Sequence, residues 1–431
     1  MNEKTRLFIE RNLNADIRQL ALQGSKDSEV DLPLALRQIA GRQTARRKLP
    51  SWAALDGLLF PPHLNMEQCS SEQTARYKAD ICRRLLETLH NSPSTLHEPP
   101  VTLHPSPFTN LVDLTGGFGV DFSWMSKAFD EATYVERDSE LFAISSHNFG
   151  FMNFVNSVKK LNMDGIDYLH QLTHATVIFL DPARRDDKGA RTYGIADCTP
   201  NVLEIKDELL QKSDFLILKL SPMLDWRKAI SDLGEQYVHE VHIISVQNEC
   251  KELLLVLSAS QPAQPYALFT INLLSDGTSQ QFHVPSSVTL HPSPLLSSLH
   301  PSPVTLHQSP VTLHQYLYEP NASIMKAGCF QELAQHYSVQ PLAPNSHLFV
   351  SDQPIADFPG RSFQISAISS MNKKELKTVL SDIHSANITT RNFPLSVADL
   401  RKKLKLADGG NVYIFATTLA NNQHVLIVCS I

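Results

Sequence analysis

Paired cysteines are missing from this sequence. Its six cysteines, at 69, 82, 198, 250, 329 and 429, stand far apart and form no C-x-x-C. That argues against a zinc ribbon or a disulfide scaffold and for a reducing compartment. No apolar run reaches the roughly 18 residues that a membrane-spanning helix needs. The opening "MNEKTRLFIERNL" is charged throughout and lacks an apolar core, so no signal peptide is read and a cytoplasmic setting is expected. A chain-wide positive field is absent too. The formal net charge is -6, so any contact with a polyanion must rely on local patches. What is present is a globular composition, 42% hydrophobic and 19% charged over 431 residues. That length exceeds one ordinary core and implies two to four domains.

Residues 1 to about 90 read as helices. In "DLPLALRQIAGRQTARRKLPSWAALDGLLF" Leu34, Ile39 and Leu49 recur among polar residues, and Pro50 and Pro61 break the pattern. "SSEQTARYKADICRRLLETL" opens with serine and a nearby Glu72, a helix-start signal. Tyr77, Ile81, Leu85 and Leu89 then mark one helix face. From Leu32 to Leu55 there is no acid, but there are five bases: Arg37, Arg42, Arg46, Arg47 and Lys48. They are either a solvated helix face or a contact for phosphates.

"VTLHPSP" occurs at 101–107 and again at 288–294, with related copies after the second. A proline in nearly every copy forbids a continuous helix. The segment 284–315 therefore reads as a repeat-containing disordered linker. Six of the 18 histidines, at 97, 104, 291, 300, 307 and 314, come with these copies. Repeat expansion accounts for them without any ligand role, and no metal is expected.

Between the repeats, strand and helix alternate. "NLVDLTG", "EATYVERD", "FVNSVKKLN", "ATVIFLDPARR" and "DFLILKLSP" read as strands of a parallel sheet covered by helices. "VHEVHIISVQ" and "KELLLVLS" are separated only by "NEC", too short for a crossover, and should form an antiparallel hairpin. Residues 316–364 form a small mixed segment. The last stretch, 365–431, reads strand, helix, helix, strand, strand. Residues 366–431 carry eight Lys and Arg against four Asp and Glu.

Ligands of such sheets sit beyond the carboxyl ends of the strands. There stand Asp113, Thr115, Gly116, Gly117 and Gly119 after the first strand, Glu136 after the second, Asp164 after the third and Asp181 after the fourth. Three glycines straight after a strand suit a backbone that something approaches closely. An acid placed like Glu136 can accept the hydroxyls of a ribose. The glycine pattern is not G-x-G-x-x-G, which speaks against a dehydrogenase.

This set resembles the class I S-adenosylmethionine-dependent methyltransferases. Their D-x-x-x-G-x-G pattern matches Asp113, Gly117 and Gly119, and their ribose acid matches Glu136. Their adenine-side acid matches Asp164, and the Asp-Pro-Pro turn of base-modifying members matches Asp181-Pro182, with Ala183 in place of the second proline. "IAGRQTARRKLPSWA", "LDPARRD", "KLSPMLDW" and "DGGNVYIFATTL" are similar to a bacterial group with a C-terminal THUMP-like domain.

The resemblance implies a Rossmann-like α/β domain over 108–275, following a helical N-terminal domain over 1–90. It also implies a small ferredoxin-like domain over 316–364 and a THUMP-like domain over 365–431. The implied cofactor is S-adenosyl-L-methionine, bound by Asp113, Thr115, Gly116, Gly117, Gly119, Glu136 and Asp164. The implied partner is RNA, by analogy with true THUMP domains. Asp181 is the expected orienting acceptor at the transfer site, with Arg184 and Arg185 holding the substrate.

Arg184 stands where base-amine enzymes carry an aromatic residue, and arginine also stacks on bases. Uracil-5-methyltransferases need a cysteine after the fifth strand, but "LILKLSPMLDW" has none, so covalent attack on a pyrimidine is disfavoured. Lys219, near the end of that strand, could contact an acidic substrate. The altered Ala183 and Arg184 keep open a protein that binds the cofactor and RNA without transfer.

Deleting Ser286 to Gln308 is expected to leave folding and cofactor binding intact, since loop-closure entropy changes by only about 0.6 kcal/mol per doubling of length. Thermal unfolding checks this, and a large fall in melting temperature would show that the repeats pack on a domain.

Overall fold

The structure is a computed structural model that describes residues 1–91, 108–152, 154, 157–184, 194–260, 262, 265–284, 315–343 and 345–431. Both full VTLHPSP copies and Arg185 lie outside these residues. The chain forms two compact units, one of Met1–Val241 with Leu253–Ala263, the other of His242–Glu252 with Gln264–Ile431.

The first unit opens with six helices: α1 (Glu3–Arg11), α2 (Ile17–Gln23), α3 (Leu32–Lys48), α4 (Pro50–Ala53), α5 (His63–Gln68) and α6 (Glu72–Asn91). Asn2, Asp16 and Asp31 cap the first three, each side chain accepting a backbone N–H of the first turn. Helix α3 stops before Pro50, which opens the next helix. Helix α6 turns Ile81, Cys82, Leu85 and Leu86 inward. These helices share a core with the loop and helices that flank the sheet that follows: Trp52, Leu58, Phe60 and Met66 pack with Phe118, Val120, Leu141 and Ile144.

That sheet is built by alternation: β1 (Asn110–Asp113), α7 (Val120–Met125), β2 (Glu131–Glu136), α8 (Ser139–Phe149), β3 (Ser157–Asn162), α9 (Gly165–Gln171) and β4 (Ala175–Leu180). A two-residue ribbon of β5 (Ala183–Arg184) and β6 (Cys198–Thr199) follows. Then come α10 (Val202–Gln211), β7 (Ser213–Leu220), α11 (Trp226–Leu233), β8 (Val238–Val246) and β9 (Glu249–Leu257). The strand order is β8-β9-β7-β4-β1-β2-β3. The pairs β1·β2, β1·β4, β2·β3 and β4·β7 are parallel, and β7·β9 is antiparallel. Strand β4 is buried at every residue, as a strand covered on both faces must be. The order reverses between β1 and β4, where ligands of open α/β sheets settle. The expected β8–β9 hairpin turns on Gln247 and Asn248, both at positive φ, the geometry that suits a two-residue connection.

The second unit holds the tip of that hairpin, the antiparallel pair β10 (Ala267–Leu273) and β11 (Ser279–Val284), and a seven-stranded sheet. The sheet's elements are β12 (Tyr316–Pro320), α12 (Ala322–Ala327), α13 (Phe330–Tyr337), β13 (Gln340–Pro341), β14 (Phe349–Ser351), β15 (Gly360–Ser370), α14 (Lys373–Val379), β16 (Ser385–Arg391), α15 (Val397–Leu404), β17 (Ala407–Thr418) and β18 (His424–Ser430). Strand β18 sends Val425, Ile427 and Cys429 into one core and Leu426 and Val428 into another, the period-two signature of a strand buried on both faces.

One sequence expectation fails here. The sequence of the last stretch predicts strand, helix, helix, strand, strand, but β16 lies between its two helices. Its sequence, "SANITTR", is polar, and only Ala386 and Ile388 are buried. As an edge strand it needs no more than that to pair, in parallel, with β17.

Among the described residues, no helix is long and apolar enough to cross a membrane. No group of three or more His, Cys, Asp or Glu among them could hold a metal ion.

Candidate active site

The glycine loop that follows β1 is held from below by aromatic rings. A Cβ on Gly116 would stand 2.2 Å from the Tyr134 ring, and one on Gly119, at φ +78°, 2.5 Å from the Phe149 ring. Two of the three glycines are therefore required by packing inside the protein rather than by approach of a ligand. Gly117, at φ +54°, is different, since only the Thr115 carbonyl lies within 4 Å of its Cβ direction. Its polar groups are already engaged. The N–H donates to Glu136 Oε2 at 2.8 Å, and the carbonyl accepts from the Tyr134 hydroxyl and from Ser145 Oγ. The loop is a fixed floor with a bare surface at Gly117.

Above it opens a cleft of about 310 Å³, lined by Asp113, Thr115, the loop from Gly116 to Asp121, Phe179, Asp181 and Lys219, with Cys69 and Ser70 from the α5–α6 turn. Of the residues expected at the site, Asp113, Thr115, Gly116, Gly117, Gly119 and Asp181 come together here. Asp113 caps Thr115 N–H at 3.0 Å, and Thr115 Oγ1 accepts the Asp181 N–H at 2.7 Å, tying the ends of β1 and β4 together. Glu136 borders the lining through Gly117, and its second oxygen accepts the Asp138 N–H at 2.7 Å. Asp164 is not in the lining. It caps α9 through Ile166 N–H at 2.8 Å and lies 3.9 Å from Arg137. The backbone of Arg184 is in β5, and Arg185 lies outside the described residues.

Two groups that the sequence does not single out, Lys78 and Asp121, join Lys219 in a charged cluster that reaches the cleft. Lys78 of α6 has no exposed surface, and Asp121 of α7 and Lys219 of β7 are buried beside it. Lys78 Nζ is 3.0 Å from Asp121 Oδ1, and Lys219 Nζ is 3.4 Å from Asp121 Oδ2 and 2.6 Å from Asp181 Oδ2. Ser70 Oγ donates to Asp121 Oδ2 at 2.7 Å. Cys69, in the wall, has its thiol pushed up to about 11 by burial.

Each carboxyl group has its own balance. Burial is the largest influence on Asp121 and pushes its titration up, but Lys78, Lys219 and Ser70 together outweigh it and hold it below the usual range. Asp181 is raised by burial, which the Lys219 ammonium only partly offsets. Asp113 is raised well above the usual range, first by burial and then by Asp121, Asp181 and Glu136, against the opposing Thr115 N–H.

Most of the basic stretch in α3 is used internally. Arg37 pairs with Glu140 at 2.6 Å, Arg42 donates to the carbonyls of Ala53 and Leu55, Arg46 to Asn14, and Lys48 to the carbonyls of Met66 and Glu67. Arg47 is exposed. In the second unit, Arg401 donates to two carbonyls and Asp408, while Lys402 and Lys403 of α15 are exposed.

Comparison with known proteins matches residues 316–359 to a ferredoxin-like domain family and residues 360–430 to a THUMP domain-like family. The crystal structure of a protein from Porphyromonas gingivalis W83 assigned as a methyltransferase is 30% identical, with a TM-score of 0.78. It covers 100% of this chain and 99% of its own. Two Mycobacterium tuberculosis proteins, from strains CDC 1551 / Oshkosh and ATCC 25618 / H37Rv, are described as uncharacterized S-adenosylmethionine-dependent methyltransferases. Each is 20% identical over 296 residues, 68% of this chain and 73% of its own. The chain belongs to the family of S-adenosylmethionine-dependent methyltransferases that carry C-terminal ferredoxin-like and THUMP-like domains.

The raised titration of Asp113 has a measurable consequence. A buried carboxyl that resists ionising binds its proton more tightly folded than unfolded. It therefore costs stability as pH rises from its ordinary value of 3.8 through its raised one. Asp113→Asn, which cannot ionise, is expected to gain stability relative to the parent chain as pH rises from about 4 toward neutrality. Urea unfolding across that range checks it, and parallel pH curves for the two proteins would contradict it.

Proposed function

We propose that this methyltransferase acts on a nucleobase in ribosomal or transfer RNA by direct in-line transfer without a cysteine nucleophile. The observation that carries this reading is the Asp181–Lys219 pair, 2.6 Å apart, at the rim of the switch-point cleft. Asp181 keeps 36% of its side-chain exposure and Lys219 10%, so the carboxylate is the member that meets an acceptor. A carboxylate beside an ammonium complements the edge of a base, where a hydrogen-bond donor adjoins an acceptor. Arg184 and Arg185, which follow in the sequence, are assigned to the substrate.

The residues fit the cofactor by shape. The bare surface at Gly117 leaves room over the loop. Glu136, beside Gly117, is placed to accept ribose hydroxyls, with Asp164 further along the strand ends. S-adenosylmethionine, when bound, supplies a methyl group already activated on sulfur, so alignment and a proton acceptor account for most of the rate. Asp181 orients the acceptor and receives its hydrogen bond. Cys69 does not compete as a nucleophile, because a thiol titrating near 11 remains protonated at neutral pH.

An RNA substrate is supported by the THUMP-like domain and by the exposed Lys402 and Lys403 within it. Mass spectrometry of RNA nucleosides from cells with and without the gene tests the reading. A methylated base that disappears with the gene is the expected result. Unchanged nucleosides alongside measurable cofactor binding would favour a cofactor-binding assembly protein instead.

Glu136→Ala is expected to weaken S-adenosylmethionine binding at least tenfold, since a hydrogen bond to a charged acceptor contributes about 1.5–3 kcal/mol. Calorimetry on the folded variant checks this, and unchanged affinity would remove Glu136 from the site. Reversing Arg47, Lys402 and Lys403 to glutamate is expected to weaken RNA binding and to flatten its salt dependence, while cofactor affinity stays as it was. Retention of the parent affinity and salt slope would direct the search to a protein or small-molecule acceptor.

A further inference from the structure

We propose that Lys78, the fully buried lysine of the N-terminal helical segment, is a positioning residue that holds Asp181 for the acceptor through Asp121 and Lys219. The inference rests on the reading of Asp181 as the acceptor-facing group.

The geometry is a chain of alternating charges. Lys78 is 3.0 Å from Asp121, Asp121 is 3.4 Å from Lys219, and Lys219 is 2.6 Å from Asp181. Side-chain exposure along it is 0% at Lys78, 10% at Asp121 and Lys219, and 36% at Asp181. The chain therefore starts in the interior and ends at the cleft. Ser70 braces it, donating to Asp121 and accepting from Lys78 at 3.1 Å. Its members come from four elements, α6, α7, β7 and the end of β4.

A buried ammonium is costly unless it is paired. Lys78 meets Asp121 and Ser70. Here Asp121 is shared, with one oxygen toward Lys78 and the other toward Lys219. Lys219 is thus divided between two carboxylates, and the hold of Lys78 on Asp121 decides how much of Lys219 is left for Asp181. Removing Lys78 leaves Asp121 to draw on Lys219, and Asp181 loses part of its counter-charge. Neutralising Asp121 does the reverse and gives Lys219 wholly to Asp181. Among the described residues, the charged groups facing Asp181 are Lys219 from β7, Asp121 from α7, Lys78 from α6 and Asp113 from β1.

The two substitutions must therefore move Asp181 in opposite directions, which loss of packing does not do. The test is carboxyl NMR on the full chain labelled with ¹³Cγ-aspartate, the Asp181 signal being assigned by its loss in Asp181→Asn. In Lys78→Met the Asp181 midpoint is expected to rise by about one pH unit or more, and in Asp121→Asn to fall. If Lys78→Met fails to fold, the isosteric Asp121→Asn still decides, because an unmoved or raised midpoint there overturns the proposal. Folded Lys78→Met with an unchanged Asp181 midpoint also overturns it and leaves Lys78 a stabilising residue only. The measurement needs neither cofactor nor RNA. Opposite shifts in a protein that methylates no RNA would uphold this inference while the functional reading failed.

Discussion

A lysine with no exposed surface can stay charged only where the fold brings carboxylate to meet it. Lys78 lies in the helical segment that precedes the sheet, and its partner Asp121 opens the first helix after the glycine loop. Their contact ties α6 to α7, behind a wall of the cleft that Asp121 shares with Cys69 and Ser70 of the α5–α6 turn. The apolar packing around it, with Trp52 and Phe60 against Phe118, follows the same seam. The N-terminal helices are consequently a wall of the site.

The site is organised by two kinds of constraint. Backbone ties set the strand ends: Asp113 to Thr115, Thr115 to Asp181, and Glu136 to Gly117. Charge sets what lies between them. Three carboxyl groups, Asp113, Asp121 and Asp181, lie near two ammonium groups, Lys78 and Lys219, and burial raises Asp113 well above the usual carboxyl range. Alternation of the two signs along the chain makes the cluster tolerable in a region largely shielded from water.

Much of this was legible in the sequence where the signal is local. The strand ends with their acids, the glycine turn and the "NEC" hairpin all lie within a few residues of the pattern that reveals them. Lys78 was hidden because a lysine in "TARYKADIC" looks like any solvent-facing helical residue; only the tertiary approach of α7 buries it. Asp121 follows the glycine turn at a position to which no motif assigns a role. Strand β16 escaped because an edge strand needs little apolar content. The basic run of α3 shows where composition stops. It leaves open a solvated face or a phosphate contact, while in the fold Arg37, Arg42, Arg46 and Lys48 engage Glu140, carbonyls and Asn14. Composition counts charges but not their partners.

The aromatic rings beneath the glycine loop constrain how this family can drift. Gly116 and Tyr134 occupy one volume between them, as do Gly119 and Phe149. A larger residue at 116 demands a smaller one at 134, but Tyr134 also holds the Gly117 carbonyl through its hydroxyl. Change at either position must pass through an intermediate that is overfilled or has lost a tether. The glycines and their rings should therefore be inherited as linked pairs, and homologues that depart from the glycine pattern should depart at the ring positions too.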